Sequence, residues 1–513
     1  MKNEIKRGAV LGYINILAKV IVTLLYTPFM LSKLGDSEYG LYSLVYSVVA
    51  YLSVLDMGFG NAMIRYVSKS ISDKVKEKEN KINGLFLIFY LIIAVIALVI
   101  GAIIYLNFEH IFHNSLTTAE IAKAKIIMII LVITVALSFP LSVFDSYIIS
   151  NEKFTFIKIL NVIKTIMLPL TMLPLLLNGY KSITMVLVNS AFNIGFHILT
   201  MYYCFKKLHM GIDFRLNSED KRTIKEITAY SFFIFLGIIV DNIFDHTDQV
   251  ILGVVSGTFA VSVYAIAIKI TTMNQDLSTT ISGLFLPKVT KLLNDNESDQ
   301  KISNIFIAVS RIQIYLMLLI LSGFYIFGDK FLVMWVGKEY LDAYYIILIL
   351  IGPSIIPLTQ NIGISVIQAK KIHQFRAILY LIIAILNIFL SIPLAKMYGG
   401  IGAAIGTGIS NVLGQIISMN IFYWKKAKLD IPLYWKCFLR MFIPTLVLAC
   451  IYRVGLSYVS NNYIAIGVMV TYVLLYFVIC NFNFNSYERD LVKLILNKMN
   501  IKNILKNRKR SRA

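Results

Sequence analysis

The chain has 513 residues, of which 58% are hydrophobic and only 15% are charged, and its mean hydropathy is +0.74. This composition is too apolar for a soluble protein of several domains and is typical of a polytopic membrane protein. The formal net charge of +21 is accounted for by membrane orientation and by attraction to anionic lipid. It therefore does not predict a nucleic-acid partner.

Fourteen apolar segments are long enough to cross a bilayer as helices, so the fold class is predicted to be all-α. The predicted spans are 11–31, 40–62, 83–106, 125–146, 155–177, 182–204, 228–252, 259–284, 305–328, 341–367, 375–395, 400–423, 437–457 and 463–482. Of the 49 Lys and Arg residues, 37 belong to segments on the side of the two termini, counting those at the ends of spans, and 8 belong to the opposite side. The excess of positive charge predicts that both termini are cytoplasmic.

The first two spans and the turn between them occur twice in the chain, at a constant offset of 222 residues. Gly35 and Tyr42 of the first copy correspond to Gly257 and Tyr264 of the second. An offset that continues without a gap indicates an internal duplication. Six spans per copy is an even number, so both copies are expected to insert in the same orientation.

The duplication predicts two six-helix lobes followed by two extra helices. The predicted boundaries are 1–225 for the N-terminal lobe, 226–424 for the C-terminal lobe, 425–484 for the additional helices and 485–513 for a basic cytoplasmic tail. The tail has the pattern of an amphipathic helix that lies on the inner leaflet. We expect a monomer.

Catalytic and metal sites are not predicted. The four cysteines lie in or beside spans without a Cys-x-x-Cys spacing, and no Asp-x-Asp motif occurs. The loops are too short to hold a soluble catalytic segment. We therefore expect a protein that is not an enzyme and that has neither a cofactor nor a structural metal.

Four basic residues remain that this count assigns to neither side and places within the membrane, namely Lys19, Lys164, Lys269 and Arg311. A charge in the middle of the membrane costs about 2.5–3.5 kcal/mol on insertion scales, so contact with lipid is disfavoured. The three lysines have similar predicted depths, which favours one cationic chamber that binds substrate. Arg311 is closer to the cytoplasmic end of its span, so it could either line the chamber or extend to the headgroups.

The seventh span carries Asp241, Asp245 and Asp248 at i, i+4 and i+7, which is one face of a helix. Such a row indicates either a proton or sodium site or a set of salt-bridge partners, for example a permanent pair between Lys19 and Asp241. Asp56 in the second span is a further carboxylate that could pair with Arg65 or act in transport.

The ligand class is only partly determined by these residues. Lysine ammonium groups in a medium of low dielectric suit a phosphate or diphosphate. The 30 tyrosines, together with many Asn and Ser residues, suit sugar hydroxyls. Composition alone does not separate these ligands.

Several short segments carry a recognisable pattern: Leu31-Ser32-Lys33-Leu34-Gly35, Glu38-Tyr39-Gly40-Leu41-Tyr42, Leu55-Asp56-Met57-Gly58-Phe59-Gly60, Thr247-Asp248-Gln249 and Trp335-Val336-Gly337. The pattern resembles the polysaccharide transporter family, the Wzx-type flippases of O-antigen and capsule repeat units. That family belongs to a superfamily that also contains multidrug and toxin extrusion proteins and lipid II flippases.

The resemblance implies two six-helix lobes around a cationic cavity, alternating access, and export of undecaprenyl-diphosphate-linked oligosaccharide across the bacterial inner membrane. It also implies a polysaccharide polymerase and chain-length machinery as partners, and it places Lys19 and Lys269 in the cavity. The alternative is a Na⁺- or H⁺-coupled multidrug or toxin antiporter, which would use the carboxylates of the seventh span. Against it, lysines at the membrane midplane repel the cationic substrates of such exporters.

Overall fold

The computed structural model describes residues 2–215, 220–294, 298–370, 372, 374–459, 462–485 and 488–489. Within these ranges the chain is almost entirely helical and contains no strand. The α-helices are α1 (Lys2–Leu34), α2 (Asp36–Ala50), α3 (Phe59–Ser72), α4 (Lys76–Phe112), α5 (Thr118–Ser150), α6 (Phe154–Leu177), α7 (Ser182–Lys207), α8 (Asp220–Val255), α9 (Gly257–Asn294), α10 (Asp299–Trp335), α11 (Asp342–Thr359), α12 (Asn361–Ala369), α13 (Gln374–Asn411), α14 (Met419–Lys425), α15 (Ile431–Ser457) and α16 (Asn462–Asn483). Nearly all of the predicted basic tail lies outside the described residues.

The described residues contain 11 helical segments that are long and apolar enough to cross a membrane. One of these, Gln374–Lys425, bends at Gly399 and covers two of the predicted spans. Helices α8 and α9 are outside that set, but they have 36 and 38 residues and cover two further predicted spans. Counting the bent segment twice and adding α8 and α9 gives fourteen. The prediction of an all-α polytopic membrane protein is confirmed.

Two predicted spans are interrupted. The span 40–62 ends as an α-helix at Ala50, passes through a 3₁₀ turn over Tyr51–Asp56, and resumes at Phe59. Met57 and Gly58 between them have φ values of 50° and 72°, which an α-helix excludes. The span 341–367 is divided between α11 and α12. Hydropathy does not detect these breaks because it averages over a window of about 19 residues.

The duplicated turns have the same backbone conformation. Gly35 and Gly257 have φ values of 83° and 79°, a region that glycine enters without steric cost. The N-terminal ends of α2 and α9 also pack closely, since a Cβ atom built on Gly40 would lie 1.9 Å from the carbonyl oxygen of Thr258. Glycine at position 40 is therefore required for this contact.

The chain forms two compact units. The first comprises the described residues of Met1–Met273, Leu332–Leu350 and His373–Gly414, and the second those of Asn274–Phe331, Ile351–Ile372 and Gln415–Ala513. In the first unit α4 packs on α5, α5 on α7, α1 on α6, and α8 on α13. The lobe boundaries proposed from the sequence stay a prediction.

Candidate functional site

Helix α2 lies inside the first unit and has one open face. From Leu41 to Val49 its residues are buried except for Tyr42 and Tyr46, which are four positions apart. Residues four apart in a helix lie one above the other on the same face. Because the rest of α2 between these positions is covered by neighbouring helices, the two tyrosines mark its open face.

Aromatic rings follow one another along this face. The ring centroids of Tyr39 and Tyr42 are 6.5 Å apart, those of Tyr42 and Tyr46 are 6.0 Å apart, and Tyr46 lies 6.1 Å from the ring of His246 on α8. We call Tyr39, Tyr42, Tyr46 and His246 the aromatic row. The row was not predicted from the sequence, although its three tyrosines have the spacing i, i+3, i+7.

Lys269 of α9 lies at one end of the aromatic row. Its Nζ is 5.1 Å from the ring centroid of Tyr39 and 3.4 Å from the Thr27 hydroxyl of α1. An ammonium group over an aromatic face is attracted by the ring quadrupole. Among the described residues, no carboxylate lies within salt-bridge distance of Lys269. Its positive charge is thus held by neutral partners.

Lys19 lies on α1, and Lys164 lies on α6, which packs against α1. Lys19 is exposed on α1, and Lys164 of α6 donates a hydrogen bond to Asn193 of α7. The residue after Lys164, Thr165, bonds Asn15 of α1 at 3.0 Å. Asn15 and the Lys269 partner Thr27 are twelve residues apart, or about 18 Å along a helix. The three lysines are therefore spread along α1, and a single chamber that contains them all stays a prediction.

Arg311 belongs to the second unit and has an acidic partner. Its Nε and Nη2 donate to the Glu488 carboxylate at 2.5 and 2.9 Å, and Nη2 also donates to the Asn483 carbonyl at 2.7 Å. Both charged side chains are nearly inaccessible, with 11% and 3% of their surface exposed. This geometry is that of a structural ion pair that connects α10 to the C-terminal end of α16.

The three carboxylates of α8 have different surroundings. Asp241 and Asp245 are exposed, whereas Asp248 is 2% exposed. One oxygen of Asp248 accepts hydrogen bonds from Tyr264 of α9 and, at 2.6 Å, from Thr407 of α13. The other oxygen has no hydrogen-bond partner among the described residues.

More oxygen atoms surround Asp248. Thr407 also accepts a hydrogen bond from Asn387, at 2.8 Å, and Ser391 donates to Asn387 at 3.1 Å and to the Ala403 carbonyl at 3.3 Å. A carboxylate among hydroxyl, amide and carbonyl oxygens can carry a proton or bind a small hard cation. We call Asp248, Tyr264, Asn387, Ser391 and Thr407 the buried carboxylate cluster. Its uncharged members carry no signal that separates them from ordinary polar residues of a span.

Asp56 lies at the end of the 3₁₀ turn that follows α2. Its carboxylate accepts a 2.6 Å hydrogen bond from Tyr90 of α4. Tyr90 belongs to the hydrophobic core formed mainly by α3, α4 and α5. The contact indicates that Asp56 anchors the interruption of the second span; its pairing with Arg65 stays a prediction.

The sequence matches a known protein family. The family described as "Polysaccharide biosynthesis protein" matches residues 6–293, more than half of the chain. The chain is 21% identical to the "Uncharacterized membrane protein EpsK" of Bacillus subtilis over 415 residues, which cover 79% of this chain and 80% of EpsK. It is 23% identical to the "Probable low-salt glycan biosynthesis flippase Agl15" of Haloferax volcanii over 205 residues, which cover 39% of this chain and 43% of Agl15.

The fold is similar to those of solved transporters. The inward closed conformation of the lipid II flippase MurJ matches with a TM-score of 0.72 and 16% identity, over 94% of this chain and 99% of MurJ. An inward-facing multidrug resistance transporter of the MATE family and MOP superfamily matches with a TM-score of 0.62 and 14% identity, over 83% of this chain and 99% of that transporter. At these identities the likeness shows the fold.

Proposed function

The chain belongs to the polysaccharide biosynthesis protein family, and on that premise we propose that it is a flippase for lipid-linked glycans. We propose that it moves undecaprenyl-diphosphate-linked oligosaccharide repeat units from the cytoplasmic to the outer leaflet of a bacterial inner membrane. Both termini are then cytoplasmic. The family, the relative named as a glycan biosynthesis flippase and the MurJ-like fold support this proposal.

The observation that carries the proposal is the environment of Lys269. Its ammonium group is half-buried between Thr27 and Tyr39, next to the open face of α2. An ammonium without an acidic partner in a medium of low dielectric binds an anion strongly. A diphosphate is such an anion. By contrast, Arg311 is already paired with Glu488, so Lys269 is the better candidate for the substrate headgroup.

The proposed mechanism divides the substrate between two environments. The diphosphate and the sugars occupy the polar space beside α2, while the polyprenyl chain stays in the bilayer, where it is already soluble. Two similar lobes that rock about a fixed site would then expose that site to each leaflet in turn. The product, a repeat unit on the outer leaflet, is the substrate of a polymerase with its chain-length machinery.

The buried carboxylate cluster supports ion coupling. Asp248 is enclosed by α8, α9 and α13, so its charge state depends on a proton or a bound cation. We propose H⁺ or Na⁺ as the coupling ion. The same cluster favours a second candidate function, a cation-coupled multidrug or toxin antiporter. The uncompensated charge of Lys269 opposes that candidate because it repels cationic drugs.

Complementation of a strain that lacks this gene tests the proposal. Lys269→Ala should reduce surface polysaccharide and leave lipid-linked repeat units on the cytoplasmic side, whereas Lys269→Arg should retain much of the export. Loss of a charge-assisted hydrogen bond corresponds to a decrease of roughly tenfold or more in affinity. Lys206→Ala is the matched control, because Lys206 also lies over a tyrosine, 5.0 Å from the ring of Tyr202. Normal export by a correctly inserted Lys269→Ala variant would refute the proposal.

A further inference from the structure

We propose that the aromatic row is the glycan-binding platform of this protein, on which sugar rings of the substrate stack while Lys269 holds the diphosphate. This inference rests on the proposed function and assigns a separate part of the substrate to a separate set of residues. It concerns Tyr42, Tyr46 and His246, which carry no charge that a diphosphate would require.

The aromatic row becomes more accessible along its length within the first unit. Exposure increases along the row, from 3% at Tyr39 to 46% at Tyr46. Tyr46 is exposed although the residues on either side of it in α2 are buried. A tyrosine that served packing alone would be covered like its neighbours. The open face of α2 is therefore available to a ligand.

Residues of three other helices border the open face of α2. His246 comes from α8, Lys269 from α9, and Asn189 of α7 lies against the hydroxyl of Tyr42. Helices therefore border the face on several sides, and the tyrosine hydroxyls and the Asn189 amide provide polar groups at its edge. Binding sites for small ligands have this composition, with mostly aromatic walls and a few placed polar groups.

The aromatic row is chemically complementary to a sugar. A sugar ring has a face of C–H groups and a rim of hydroxyls, so it matches an aromatic ring that carries a polar edge. The ring centroids of Tyr39, Tyr42 and Tyr46 are 6.5 and 6.0 Å apart with interplanar angles of 33° and 34°, so the rings form an unbroken series that begins at Lys269. A glycan whose diphosphate is bound at Lys269 would therefore extend along the row.

Asp241 and Asp245 lie beyond His246 in the direction of the N-terminal end of α8, and both are exposed. Carboxylates accept hydrogen bonds from sugar hydroxyls and repel phosphate. Lys269 lies at one end of the row, and the exposed Asp245 is next to His246 in the chain at the other end, so these two charges favour one direction for the substrate. The diphosphate is placed at α9 and the sugars are placed toward α8.

Binding of two matched probes to the purified full-length protein tests the platform. The probes are farnesyl diphosphate and the same lipid diphosphate carrying one N-acetylhexosamine, measured by native mass spectrometry. Tyr46→Ala should weaken binding of the sugar-bearing probe by about three- to tenfold and leave binding of farnesyl diphosphate unchanged. Tyr46→Phe should bind both probes like the wild type, because it keeps the ring.

Two further variants complete the design. Lys269→Gln should weaken the binding of both probes, since both contain the diphosphate. Tyr202→Ala should leave the binding of both probes unchanged. Tyr202 is an exposed tyrosine of α7 with a lysine over its ring, but it lies outside the row. Size-exclusion chromatography checks folding, which truncation of a 46% exposed side chain should preserve.

The results separate the two proposals. If Tyr46→Ala weakens the binding of both probes equally, or the binding of neither, the platform inference is wrong while the flippase proposal stands. A wild-type protein that binds farnesyl diphosphate but gains no affinity from the sugar would also overturn the platform alone. If the wild type binds neither probe, the proposed function fails, and the platform fails with it.

Discussion

Asp248 is a carboxylate whose two oxygen atoms have different surroundings. One oxygen accepts hydrogen bonds from Tyr264 and Thr407, and the other has no hydrogen-bond partner in the described part of the chain. Burial of an ionised carboxylate without a compensating charge is costly, so the group takes up a proton or binds a cation. Asp248 is for this reason the strongest coupling candidate of the three carboxylates of α8.

We predict that Asp248→Asn abolishes the dependence of export on Na⁺ or pH, because an amide keeps the shape of the side chain but cannot ionise. Thr407→Val should weaken this dependence, since it removes a hydroxyl 2.6 Å from the carboxylate. Ser410→Ala is the control, because the Ser410 hydroxyl bonds only the Gly406 carbonyl of its own helix among the described residues. The measurement is the export rate against Na⁺ at fixed pH and against pH at fixed Na⁺. An unchanged profile in Asp248→Asn would leave this carboxylate with a structural role.

The sequence revealed the charged members of these sites but not their neutral partners. Lys269 and Asp248 stand out because a charge inside an apolar span is costly. Asn387 and Thr407 do not stand out, since single amides and hydroxyls are common in membrane helices and their role depends on which helices meet. For the same reason the partner of Arg311 was not predictable, because Glu488 is 177 residues away and follows the last span.

Helix α10 is the element to which the additional C-terminal helices are attached. In α10, Arg311 pairs with Glu488, and Asp329, near the C-terminal end, pairs with Arg453 of α15 at 2.9 Å. Between them, the Tyr476 hydroxyl of α16 donates to the Tyr315 carbonyl at 2.6 Å. These contacts attach α15 and α16 to the part of α10 from Arg311 to Asp329.

We predict that Arg311→Ala lowers stability without a loss of diphosphate binding. Removal of one partner from a buried ion pair costs about 3–5 kcal/mol, which should lower the thermal unfolding temperature in detergent by several degrees. Arg440→Ala on the exposed side of α15 is the control and should leave that temperature unchanged. Farnesyl diphosphate binding is measured on the same samples. If Arg311→Ala is stable but no longer binds this probe, Arg311 lines the cationic chamber, as one of the two sequence-based alternatives predicts.

At the scale of the element, hydropathy predicts the positions of the spans but does not report their interruptions. A window of apolar residues indicates a membrane segment whether or not its helix is continuous. Gly58, in the break of the second span, also makes a close tertiary contact, since a Cβ at position 58 would lie 2.5 Å from a methyl group of Ile234. Such a contact between α8 and the end of the second span has no local signature.

For the molecule as a whole, hydrogen bonds connect the two duplicated turns with neighbouring segments of the first unit. Asp36 accepts a hydrogen bond from Tyr340 at 2.6 Å, and Tyr340 contacts Ser262 at 2.8 Å. Thr258 donates to Glu120 at 2.9 Å. In the proposed orientation these residues lie on the outer side of the membrane. The contacts therefore close the outer ends of α2 and α9 against each other in this state.

The proposed alternating access requires these outer contacts to separate in every transport cycle, since the proposed export delivers the glycan to the outer side. We predict that a short thiol crosslinker between Asp36→Cys and Tyr340→Cys, in a chain without its native cysteines, stops export, and that a cleavable version restores export after reduction. The physical reason is that Asp36 belongs to the first copy of the duplication and Tyr340 follows the second, so a covalent bridge holds the two copies together at their outer ends.

The matched control joins α4 and α5, both within the first copy. Glu109→Cys with Lys125→Cys replaces an ion pair of 2.8 Å, and its crosslink should leave export unchanged because these neighbours move together. Export is measured as surface glycan before and after reduction, with the crosslinked fraction followed on gels. If the fully crosslinked protein exports glycan as fast as it does after the crosslink is cleaved, the contact between positions 36 and 340 stays closed during transport and access opens elsewhere.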